Sequence, residues 1–72
     1  MKNTLVFDIG KTHIKSILFN YSGRIIVEYK KNQEFSKKFK KLYIIEVDKI
    51  LEIVTDLIKV ISKKFLINKI IF

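Results

Sequence analysis

Within eight residues, Asp8-Ile9-Gly10-Lys11-Thr12-His13-Ile14-Lys15, the chain gathers the groups that a nucleotide phosphate tail requires. Such a tail needs backbone N–H groups at close range, and Gly10 favours that approach because it has no Cβ. It needs a hydroxyl donor, which Thr12 supplies, and cations, which Lys11 and Lys15 supply. It also needs a metal ion held through water by a carboxylate at a strand end, and Asp8 suits that role. The plainer reading of Asp8 is a strand-end turn residue. In a Lys-rich chain Lys11 and Lys15 count through their spacing, not singly. His13 has no second His or Cys to join it and reads as a solvated strand residue. The segment is not a P-loop, because it lacks Gly-x-x-x-x-Gly-Lys-Ser/Thr and runs into a strand instead of a helix.

The flanking elements must hold this turn. Residues 4–9 form a short run with Leu5, Val6, Phe7 and Ile9, ended by Gly10, and read as a buried strand. Residues 13–20 follow as a second strand, with Ile14, Ser16 and Leu18 on one face and Lys15, Ile17 and Phe19 on the other. Asn20-Tyr21-Ser22-Gly23 is a turn with Gly23 available for positive φ. A third strand spans 24–33, with Ile25, Val27 and Tyr29 sharing a face opposite Ile26, Glu28 and Lys30. Residues 34–42 read as a basic loop, with Tyr43 to Val47 extended after it. Asp48 then looks like an N-cap for a helix over 49–65, whose Ile50, Val54, Leu57, Ile58, Ile61 and Phe65 recur at helical spacing. Leu51, Ile53 and Val60 widen that stripe, so cover on more than one side is expected. Lys59, Lys63 and Lys64 suit the helix C-terminus. A fourth strand over 67–72 ends in Ile70-Ile71-Phe72, an apolar edge from which a missing remainder, and self-association, are expected. The fold class is α/β as an α+β fragment: a three-stranded antiparallel meander, one helix and a fourth strand.

Composition narrows the rest. Seventy-two residues make one domain at most, with a thin core. There is no Cys, so neither disulfides nor a Cys-based zinc site can staple it. The net charge of +8 would suit a polyanion. However, 14 of the 15 basic residues are Lys and only Arg24 is Arg, the better bidentate ligand of phosphate and base edges. Heavy use of Ile and Lys is also what an AT-rich coding bias produces. The alternative function is therefore a small basic nucleic-acid-binding protein using Lys30–Lys41, where Phe35 and Phe39 could stack on unpaired bases. No apolar run approaches the roughly 18–20 residues of a membrane-spanning helix, and no secretory signal is visible, so no membrane partner and a cytoplasmic location are expected.

The wording Asp8-Ile9-Gly10-Lys11-Thr12-x-x-Lys15, the second strand Ser16-Ile17-Leu18-Phe19-Asn20 and the Gly-containing turn resemble the N-terminus of FGGY-type carbohydrate kinases, nearest the rhamnulokinase- and fuculokinase-like branch. These belong to the actin/hexokinase/Hsp70-like ATPase superfamily. Glu46-Val47-Asp48 entering a helix, and then Ile67-Asn68-Lys69-Ile70-Ile71, continue the likeness, with Lys30 to Leu42 as the variable part. The resemblance implies that residues 1–72 are a partial N-terminal domain with a ribonuclease H-like fold. It implies ATP and Mg²⁺ as cofactors, a sugar as acceptor, Asp8 holding Mg²⁺ through water, and Gly10, Lys11, Thr12 and Lys15 around the phosphates. The family's catalytic base, adenosine pocket and most sugar contacts come later, so the chain carries no catalytic residue and is expected to be inactive alone. A third reading is a relic with no activity.

Overall fold

The computed structural model describes residues 2–10, 12–32, 36–39, 42–45 and 47–72. Lys11, Gln33, Glu34, Phe35, Lys40, Lys41 and Glu46 lie outside the described residues, as does Met1. The elements run β1 (Thr4–Ile9), β2 (His13–Phe19), β3 (Ile25–Asn32), β4 (Ser36–Phe39), β5 (Leu42–Ile45), α1 (Val47–Ser62) and β6 (Lys69–Ile71). Four strands form one mixed sheet in the order β3-β2-β1-β6. β1, β2 and β3 are the antiparallel meander expected from their alternation and short turns. β6 lies parallel to β1, with Thr4 opposite Lys69 and Val6 opposite Ile71. A parallel neighbour requires a crossover, and α1 lies on it.

One face of this sheet holds the core. Leu5, Phe7, Ile14 and Leu18 are buried against Val54 and Ile61 of the helix, with Ile50, Ile53, Leu57, Ile58, Phe65 and Ile67 packed around them. The helical positions fall three or four residues apart, the spacing of a single face. Leu51 and Val60, which widen the stripe in sequence, are exposed, whereas Ile53 does reach the core. Within the described residues the sheet is therefore the cover of α1, and the second cover expected from the sequence is not among them.

Several boundaries differ from the sequence reading. The helix starts at Val47, so Asp48 sits in its first turn, where a carboxylate faces the positive end of the helix dipole, instead of preceding it as an N-cap. It ends at Ser62, where the Ile61 carbonyl accepts from the N–H groups of both Lys64 and Phe65 at 3.1 and 2.9 Å. Phe65 still packs on the core after the chain has left the helix. The expected basic loop contains strands instead: Ser36 pairs with Ile45 and Phe39 with Leu42 in a two-stranded antiparallel ribbon. The β-branched and aromatic run Leu42-Tyr43-Ile44-Ile45 favours extension more than the lysines oppose it. In β3, the register shifts between Leu18 and Phe19, which pair with Val27 and Ile25. Ile26 is the extra residue of this bulge and joins the core, while Ile25 is exposed. The uniform alternation expected through β3 therefore holds only from Val27 onward.

The β2–β3 turn is set by Asn20 and Gly23. The Asn20 Oδ1 accepts from Ser22 N, Ser22 Oγ and Arg24 N at 3.0, 2.9 and 3.0 Å, while Gly23 adopts a φ of 81°. A Cβ at Gly23 would meet nothing within 4 Å, so the cost of a side chain there is purely conformational. Gly23→Ala is expected to lower stability by about 1 kcal/mol through the left-handed backbone, read as a fall in the urea midpoint. An unchanged midpoint would contradict this.

At the same end of the sheet, beside the start of β1, Asn3 fixes β6. Its N–H donates to Asn68 Oδ1 and its side-chain amide to the Leu66 carbonyl, both at 2.9 Å. Its own carbonyl accepts from the N–H groups of Asn68 and Lys69. Phe72 then stacks on Phe7, with centroids 5.4 Å apart and planes 12° apart.

Candidate functional site

The turn between β1 and β2 is closed by the Gly10 N–H donating to the His13 carbonyl at 2.9 Å. Below it the strands pair Ile9 with Ile14 and Asp8 with Lys15. Side chains alternate across a strand, so Asp8 and Lys15 share a rung on the face opposite the helix. The same rung continues to Lys30 on β3. Asp8 and Thr12 are exposed, and Gly10 and Lys15 are half-buried. The structure thus brings Asp8, Gly10, Thr12 and Lys15 to one end of the sheet. Lys11, the remaining residue expected to grip phosphate, lies outside the described residues.

Gly10 is informative because its fold does not require it. Its φ lies outside the left-handed region, and a Cβ built there would meet the His13 carbonyl oxygen at 3.4 Å and the His13 ring at 3.5 Å, ordinary contacts. Neither backbone strain nor crowding by the described residues selects glycine at this position. A glycine there also presents no side chain to an approaching group.

Lys15 has a partner that sequence reading missed. Its ammonium lies 3.2 Å from a Glu28 carboxylate oxygen, with the two side chains 36% and 42% exposed. Glu28 pairs with Ile17 and not with Lys15, so the ion pair runs diagonally across the outer face. The β3 bulge shifts that register, and no local signal in the sequence announces it. The pair is solvent-accessible and contributes at most about 1 kcal/mol, so Lys15 can exchange Glu28 for an incoming phosphate at small cost. His13 occupies the next rung of this face, opposite Asn32. Among the described residues no three His, Cys, Asp or Glu side chains converge on a common point. Asp8, exposed at the end of β1, offers a carboxylate at this turn, with the Glu28 carboxylate on Lys15 across the same face.

The opposite end of the same outer face is built differently. Val6, Ile17 and Phe19 occupy the middle of the face half-buried, flanked by exposed Ile25 and Ile71. Beyond them Lys2, Thr4, Asn20, Tyr21, Asn68 and Lys69 surround a concavity. Among the described residues no helix is long and apolar enough to cross a membrane. Compared with family models, with curated proteins and with solved structures, the chain matched none.

Proposed function

We propose that this chain is the phosphate-binding N-terminal segment of an ATP-dependent sugar kinase of the FGGY type. The observation that carries the reading is the exposed turn at which Asp8, Gly10, Thr12 and Lys15 meet, with a glycine that the fold itself does not demand. In this reading the N–H groups around Gly10 and the Thr12 hydroxyl bind phosphate oxygens. Lys15 turns from Glu28 to neutralise them, and Asp8 holds Mg²⁺ through water. The ion, when bound, neutralises charge on the phosphates. The element order supports a ribonuclease H-like domain: an antiparallel meander, a crossover carrying a helix, and a strand returning parallel beside β1. The exposed Ile71 and Phe72 at the β6 edge support a further strand or a second copy joining the sheet there.

Phosphoryl transfer depends on positioning and on charge neutralisation around an acceptor and its base. A turn that grips phosphate without those groups binds but does not transfer. The 72-residue chain is therefore expected to bind ATP more tightly with Mg²⁺ than without it, in equilibrium dialysis, and to phosphorylate no sugar. Asp8→Asn is expected to remove the Mg²⁺ dependence while leaving metal-free binding in place. An Asp8→Asn variant with undiminished Mg²⁺ dependence would overturn the assignment, and ATP-dependent sugar phosphorylation by the chain would overturn its expected inactivity alone.

A further inference from the structure

The concavity at the far end of the outer face has a volume of about 610 Å³ and is lined by Lys2, Thr4, Asn20, Tyr21, Asn68 and Lys69. Its chemistry is one-sided. Two ammonium groups contribute, and among the described residues no carboxylate lines it. The two amides are oriented by bonds that only an oxygen can make. Asn20 Oδ1 accepts from the backbone N–H groups of Ser22 and Arg24, and Asn68 Oδ1 accepts from that of Asn3. The amide oxygens are thus spent on the protein, which leaves each Nδ2, a donor, as the group the amide can offer a ligand. Tyr21, a residue 69% exposed, adds an aromatic ring at the turn.

We propose that this concavity binds a phosphate group carried on a molecule with a flat ring. The phosphate lies between Lys2, Lys69 and the Asn20 and Asn68 amides, and the ring lies on Tyr21. Two point charges and two neutral donors suit a doubly charged phosphate monoester. An exposed aromatic face suits stacking. The site is separate from the Asp8–Lys15 turn. Thr4 and Asp8 stand at opposite ends of β1, roughly 13 Å apart at about 3.3 Å per residue.

The test is titration of the isotopically labelled full chain with adenosine monophosphate, inorganic phosphate and adenosine, following amide shifts. The monophosphate is expected to give saturating shifts at Asn20, Tyr21, Asn68 and Lys69. Inorganic phosphate is expected to bind at the same residues about fivefold or more weakly for want of stacking, and adenosine is expected to give no saturation there. Replacing both lysines, Lys2→Gln with Lys69→Gln, is expected to weaken the monophosphate at least about tenfold. Tyr21→Ala, in an exposed turn, is expected to bring the monophosphate down to the level of inorganic phosphate while leaving the latter unchanged. Unsaturating shifts, equal binding of adenosine, shifts confined to Gly10 and Thr12, or indifference of the monophosphate to Tyr21→Ala would each overturn the proposal.

Discussion

Leu18→Ala is expected to lower the unfolding free energy by about 3 kcal/mol. Leu18 has no exposed surface, and it lies on the inner face of β2 in the same cluster as Leu5, Ile14, Val54 and Ile61. Truncation removes the transfer free energy of the lost carbons and leaves a void that a close-packed core refills only in part. At about 0.05–0.15 kcal/mol per residue, a chain of this length has roughly 4–11 kcal/mol in hand. The substitution therefore consumes a large share of the total. At a urea dependence of about 1 kcal/mol per molar, the midpoint would fall by roughly 3 M. Leu51→Ala is the matched control, since Leu51 sits on the same helix stripe in sequence but is exposed in the fold. It is expected to stay within about 0.5 kcal/mol of the parent. Equal losses from the two substitutions would mean that α1 does not present Val54 and Ile61 to the sheet.

Gly10→Ala is expected to separate binding from stability. The added methyl meets only ordinary contacts from His13 and imposes no forbidden backbone, so the urea midpoint should barely move. In the proposed reading a phosphate oxygen comes close to this turn, and a methyl at Gly10 would obstruct it. Hydrogen bonds to a charged group contribute about 1.5–3 kcal/mol each. Losing one should therefore weaken ATP roughly tenfold or more by calorimetric titration. Unchanged affinity with unchanged stability would remove Gly10 from the site. A marked loss of stability would mean that the glycine serves the fold after all.

The sequence made the sheet legible where one physical rule acted alone. Alternation in β2 placed Ile14, Ser16 and Leu18 inward, and they are buried. Asn20 and Gly23 announced their turn through local chemistry, and Gly23 takes positive φ as that chemistry requires. Legibility failed where two rules competed. Lysine-rich composition suggested a loop between residues 34 and 42, but backbone pairing needs no particular side chain, and the adjoining β-branched residues supplied a partner strand. The bulge at Ile26 is a tertiary accommodation: Ile25, Ile26 and Val27 are all apolar, so the pattern could not say which of them turns inward. The same shift hid the Lys15–Glu28 pair, because diagonal partners follow from a register that the bulge sets. In the candidate site, Asp8, Gly10, Thr12 and Lys15 were legible because they lie close in sequence and a single turn keeps them together. The far concavity was not, since Lys2, Asn20 and Asn68 meet only when β6 returns beside β1.

The central claim is that the β1–β2 turn grips nucleotide phosphate, and a titration of the labelled chain with ATP and Mg²⁺ tests it most directly. The account predicts saturating amide shifts at Gly10, Thr12 and Lys15, with those at Thr12 and Lys15 needing roughly tenfold more ATP in Gly10→Ala, and none when adenosine replaces ATP. Shifts that miss this turn, or that adenosine reproduces in full, would contradict it.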